Sequence, residues 1–75
     1  MQPIRFELDA RHDHVELNQL LKLVGLCDSG GAGKALVASG AVRVDGQVEL
    51  RKTCKIRPGQ RVDCGGVQIV VVAEG

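Results

Sequence analysis

The sequence almost lacks aromatic residues. Phe6 is the single one among 75 residues, and there is no tryptophan or tyrosine. The core must therefore be built from Leu, Val and Ile, and binding that stacks bases on aromatic platforms is excluded as a main mechanism. Long apolar runs are missing as well. No segment approaches the length of a membrane span, and the opening MQPIRFELDARHDH is too charged for a signal peptide. A cytoplasmic protein with no membrane contact is expected. Cysteines are few and scattered: Cys27, Cys54 and Cys64, with no C-x-x-C pair. An odd number at wide spacing reads as reduced thiols, not as a disulfide framework or zinc site. His12 and His14 show no further ligand beside them, so no metal and no cofactor are expected.

The length bounds the rest. A chain of 75 residues makes one small domain, expected over 1–75, which buries only about 60% of its unfolded surface. A binding surface suits it better than a deep catalytic pocket, and no small-molecule substrate is expected. No Ser–His–Asp arrangement or carboxylate pair suggests an enzyme. A monomer is the default. Net charge is only +1, but it is unevenly spread. Between residues 33 and 62 stand Lys34, Arg43, Arg51, Lys52, Lys55, Arg57 and Arg61 against Asp45 and Glu49. Both flanking segments are net acidic. A basic middle of this kind is a localised electrostatic footprint, although uneven surface charge alone would look the same.

Periodicity outlines an α+β chain. PIRFEL alternates, which predicts a half-buried strand with Ile4, Phe6 and Leu8 inward. Asp13 and Glu16 have capping-box spacing, and Leu17, Leu20, Leu21 and Val24 follow at helical spacing up to a Gly25 stop. Ser29 is placed to cap a second helix, Gly30 to Ser39, closed by Gly40. The period then changes to two. Asp45-Gly46 and Gly65-Gly66 predict tight hairpins, and Pro58-Gly59 a turn. The last strand, VQIVVVA, is apolar on both faces and is expected to be central or covered. The predicted architecture is a strand, two main helices in a helix-turn-helix-like pair, then a small, mainly antiparallel sheet of about four strands.

The run SGGAGKALVASG, Ser29 to Gly40, raises the question of a phosphate loop. A Walker A match needs glycine at position 28 and Ser or Thr at 35, but Asp28 and Ala35 stand there, and a helix precedes instead of a strand. What remains is a capped helix start whose free N–H groups and partial positive charge suit an anion, with Lys34 one turn further in. Small residues for close helix packing explain the same glycines.

The order of elements resembles a known family. LLKLVGLCDSGGAGKALVASGAVRVDG, followed by RKTCKIRPGQRV, is similar to the RNA-binding domain named after small-subunit ribosomal protein S-four, the alpha-L motif. The likeness runs over about residues 15–72 and is greatest to its small stand-alone bacterial form. It implies a partner of structured RNA, ribosomal or transfer RNA, met by the second helix and the hairpin after it. Carried onto this chain, it marks Ser29, Gly30, Gly31, Lys34, Arg43, Arg51, Lys52, Lys55 and Arg57 as RNA-facing. Three positions depart: Gly30 where many members have arginine, Gly33 where many have alanine, and Gln60 where aspartate is common. Two other readings compete. A small β-grasp sulfur carrier has a similar length, but its Gly-Gly ending is replaced by Glu74-Gly75. An adaptor pairing its last strand with another protein is the other.

Overall fold

The computed structural model describes residues 3–74. Met1, Gln2 and Gly75, and with Gly75 the end of the Glu74-Gly75 tail weighed above, lie outside the described residues. The elements in chain order are β1 (Ile4–Leu8), β2 (Val15–Glu16), α1 (Leu17–Leu23), α2 (Gly30–Ala38), β3 (Val42–Val44), β4 (Gln47–Val48), β5 (Lys55–Ile56), β6 (Arg61–Cys64) and β7 (Val67–Ala73). The main sheet has five strands in the order β1-β7-β6-β3-β4, and β2 pairs with β5 in a separate two-stranded ladder. All pairings are antiparallel except β1 with β7, which is parallel. The α+β class, the two helices and the mainly antiparallel sheet are as expected: β3, β4, β6 and β7 of the main sheet follow the helices, and the N-terminal strand β1 joins them as the fifth.

Helices cover one face of the sheet. That face carries Leu8, Val42, Val44, Val62, Cys64, Ile69 and Val71, which pack with Leu17, Leu20, Leu21, Val37 and Ile56 in one core. The inward Ile4, Phe6 and Leu8 of β1 stand in register with Ile69, Val71 and Ala73. β7 is internal, flanked by β1 and β6. Both its edges are occupied, which overturns the adaptor reading in which that strand pairs with another chain. Its outward Val70 lies between Arg5 and Arg61 in register, and is only half-buried.

Local signals in the helices were sound at the ends governed by glycine and serine. Gly25 has φ +85, the Gly25 N–H donates to Lys22 O, and the Leu26 N–H donates to Leu21 O, closing α1 with a left-handed cap. Ser29 Oγ accepts from the Ala32 N–H at 3.1 Å, and Gly40 (φ +81) follows the last turn of α2. The capping box at Asp13 and Glu16 does not form. Glu16 is the N-cap but makes no side-chain cap bond, and Asp13 instead accepts from His14 Nδ1 at 2.6 Å. The first N–H groups of α1 are taken from a distance: Leu17 N–H donates to Cys54 O at 2.9 Å and Asn18 N–H to Lys52 O at 3.2 Å. Pairing of β2 with β5 holds Val15 and Glu16 extended, so the tertiary contact wins over the local cap.

The glycines of α2 divide into distinct cases. A Cβ on Gly33 would lie 2.5 Å from the main-chain oxygen of Asn18, so Gly33 is where α1 and α2 approach closely. A Cβ on Gly30 would meet the flexible end of Gln19 at 2.8 Å. At Gly31 only Ser29 Oγ lies near, at an ordinary 3.8 Å. Close helix packing therefore accounts for Gly33 and leaves Gly31 unexplained.

Candidate nucleic-acid interface

Asn18 ties the start of both helices to the basic segment. It is 2% exposed. Its main-chain N–H holds Lys52 O, and its side-chain amide donates to Gly30 O at 3.4 Å. The segment 51–55 is thus bound to the end of α1 that faces the start of α2. Cys54 N–H donates to Arg51 O, so the segment turns tightly. The result is an open groove of about 1090 Å³ that brings together Lys34, Arg51, Lys52, Lys55 and Arg57. Two carboxylates, Asp45 and Glu49, also line it.

Neither carboxylate is left unpaired. Asp45 occupies the left-handed region (φ +51) and Gly46 follows at φ +86, the tight hairpin the sequence predicts. The Asp45 carboxylate accepts from the Arg61 N–H at 3.0 Å and from Gln60 Nε2 at 3.2 Å. Gln60 Oε1 in turn accepts from the Arg57 N–H at 2.7 Å. This explains the departure at position 60: an amide can donate to Asp45 and accept from Arg57 at once, whereas a carboxylate would face Asp45 with like charge.

Glu49 accepts from Arg51 three times, from its main-chain N–H at 3.0 Å, Nε at 3.1 Å and Nη2 at 3.0 Å. Cys54 Sγ donates to the same carboxylate at 3.4 Å. These donors hold the Glu49 carboxyl at a pKa of about 2, with the Arg51 side chain the largest cause. Glu49 raises the pKa of Arg51, and burial, aided by Glu49, raises that of the Cys54 thiol. By contrast Lys34, Lys52, Lys55 and Arg57 have no ion-pair partner among the described residues. They are the groove cations that an external anion meets without first displacing an ion-paired carboxylate.

The remaining residues marked in the sequence sit differently. Ser29, Gly30 and Gly31 form the start of α2, beside Asn18 and one turn before Lys34. Arg43 is not brought into the groove. It alternates with the buried Val42 and Val44, so it stands on the opposite face of the sheet, in register with Val48 and Asp63. Sequence reasoning missed Asn18 and the pairing role of Glu49, and noted Gln60 only as a departure, without its bridge between Arg57 and Asp45. The spacing of Glu49 and Arg51 was visible, but their pairing depends on a turn that no local motif announces.

A family model described as the S4 domain matches residues 6–72. The chain belongs to the S4 domain family. Two curated S4 relatives, YbcJ of Escherichia coli strain K12 and YbcJ of Shigella flexneri, are each 52% identical over 63 residues. The alignment covers 84% of this chain and 90% of each relative. The solution structure of Escherichia coli YbcJ is described as revealing an alpha-L motif involved in RNA binding. It superposes with a TM-score of 0.73 at 48% identity, covering 97% of this chain and 91% of that one. The S4 domain with its alpha-L motif is a binding module, not an enzyme, and membership sets the sulfur-carrier reading aside.

Proposed function

We propose that the protein binds structured RNA, ribosomal or transfer RNA, through the groove between α2 and the segment 51–57. The observation that carries the reading is the cluster of Lys34, Lys52, Lys55 and Arg57, none with an ion-pair partner among the described residues, on a surface whose basic segment is hydrogen-bonded to the start of α1. Phosphates supply most of the affinity of such a surface. Without aromatic side chains in the groove, recognition is by backbone shape, not by base stacking. The start of α2 adds N–H groups of Gly30 and Gly31, and Gly31 offers open space for a phosphate oxygen. Arg51 contributes less than the other cations because Glu49 already faces it. Arg43 reaches RNA only if the ligand passes over the β4 edge. Membership of the S4 family and the description of the YbcJ structure support RNA as the ligand. The protein acts as a monomer in the cytoplasm.

Amide shifts recorded by NMR while bulk transfer RNA, and separately ribosomal RNA, is added test this. Shifts are expected at residues 29–34 and 51–57. Shifts confined to the outer sheet face around Gln68 and Val70 would overturn the assignment of the groove.

A further inference from the structure

The groove contains a feature that a pure phosphate-binding surface does not need. Glu49 is fixed by its backbone, since its N–H donates to Val42 O at 3.0 Å as β4 ends. Its side chain is only 17% exposed, while that of Arg51 is 78% exposed. A firmly seated carboxylate thus holds an exposed guanidinium by two side-chain bonds, and the Cys54 thiol supports the carboxylate from behind. An RNA phosphate approaching Arg51 meets a cation whose charge is already balanced and a negative group next to it.

Building on the RNA-binding reading, we infer that Glu49 is an internal counter-ion that withholds Arg51 from the phosphate backbone and so sets the affinity and selectivity of the groove. Nonspecific RNA, which offers phosphates and little shape, gains from the four unpaired cations only. An RNA whose shape places a phosphate deep in the groove can compete with Glu49 for the outer edge of Arg51. The carboxylate therefore lowers indiscriminate binding more than it lowers fitted binding. A solvated ion pair far from any ligand would have no such effect, but this pair lines the groove itself.

The test is a filter-binding salt titration with bulk transfer RNA, on wild type, Glu49→Gln, Arg51→Ala and the double variant, with Lys52→Ala as reference. Glutamine keeps the acceptor for the Arg51 main-chain N–H and removes the charge. Releasing one cation steepens the log–log salt slope by about 0.7 to 0.9. That corresponds to roughly five- to eightfold tighter binding at 0.1 M salt, with the two curves meeting near 1 M. Arg51→Ala alone is expected to change the slope by less than half as much as Lys52→Ala, and to cancel the gain when combined with Glu49→Gln. An unchanged or weaker Glu49→Gln, with Lys52→Ala still lowering the slope, overturns the role of Glu49 alone. A wild-type slope near zero instead defeats the RNA reading on which it rests. If Glu49→Gln melts early, Arg51→Ala decides by itself: a loss equal to that of Lys52→Ala shows that Arg51 is already free, and overturns the inference.

Discussion

Replacing Gly33 by alanine should destabilise the protein although alanine is the better helix former. The added Cβ would stand 2.5 Å from the Asn18 main-chain oxygen, with the Asn18 Cα and carbonyl carbon at 3.1 and 3.2 Å. That is roughly 1 Å inside ordinary contact distance. Every one of these atoms is backbone, so no rotamer change relieves the clash, and α1 and α2 must separate. Overpacking of this kind costs about 1–3 kcal/mol. The propensity gain of alanine over glycine offsets up to ~1 kcal/mol, leaving a net loss of about 1–2 kcal/mol. In a domain this small each kcal/mol moves Tm by about 4–8 °C, so Gly33→Ala is expected to melt roughly 5–15 °C below wild type. Gly31→Ala is the control: its Cβ meets only Ser29 Oγ, at an ordinary 3.8 Å, and its Tm should stay level or rise by a few degrees. Circular dichroism at 222 nm follows both. If Gly33→Ala melts at or above Gly31→Ala, the two helices are not in the close contact described, and the division of roles among the glycines is wrong.

Three further outcomes follow from the same geometry. Gly31→Glu should fold normally, since an acidic residue suits the first turn of a helix, yet bind RNA at least about tenfold more weakly because it fills the open approach with negative charge; unimpaired binding removes the phosphate from that helix end. Gln60→Asp should lower Tm, because like charges then face each other at Asp45, and Asp45→Asn added to it should restore most of the loss; a double variant no better than the single one excludes the contact as the cause. The third concerns acid. The Glu49 pKa falls from 4.5 to about 2 in the folded protein, so its contribution to stability is fully present above about pH 4.5 and is lost as pH drops towards 2. Melts of Glu49→Gln and wild type should converge over that window, and a constant difference down to pH 2 would contradict the pairing.

What was legible in the sequence was what short-range geometry decides. Gly25, Ser29 and Gly40 end or begin helices because single residues with left-handed backbone or a side-chain acceptor suffice there. The Asp45-Gly46 and Gly65-Gly66 hairpins follow from paired residues with positive φ, and all four adopt it. Contacts between distant segments were not legible. The D-x-x-E box lost to Cys54 and Lys52, 37 and 34 residues further along the chain than the Leu17 and Asn18 whose N–H groups they satisfy, while β2 pairs with β5. The parallel alignment of β1 with β7 joins the two ends of the chain and leaves no local trace. At the site, composition located the basic segment but not its accounting. Five cations gather, one of them is matched by Glu49, and Arg43 is carried to the other face by the simple alternation of Val42-Arg43-Val44. That alternation was readable in advance; the Glu49–Arg51 pair was not, because it depends on how the chain turns after β4.

The central claim is that Lys34, Lys52 and Lys55, together with Arg57, face the RNA backbone in one groove. The most direct measurement is the salt dependence of binding to bulk transfer RNA for wild type and for Lys34→Ala/Lys52→Ala/Lys55→Ala, with Arg43→Ala beside them. Four free cations predict a log–log slope of about −3 for wild type and about −1 for the triple variant, with Arg43→Ala close to wild type. A triple variant that keeps the wild-type slope, while Arg43→Ala loses it, would place the RNA on the opposite face of the sheet and contradict the account.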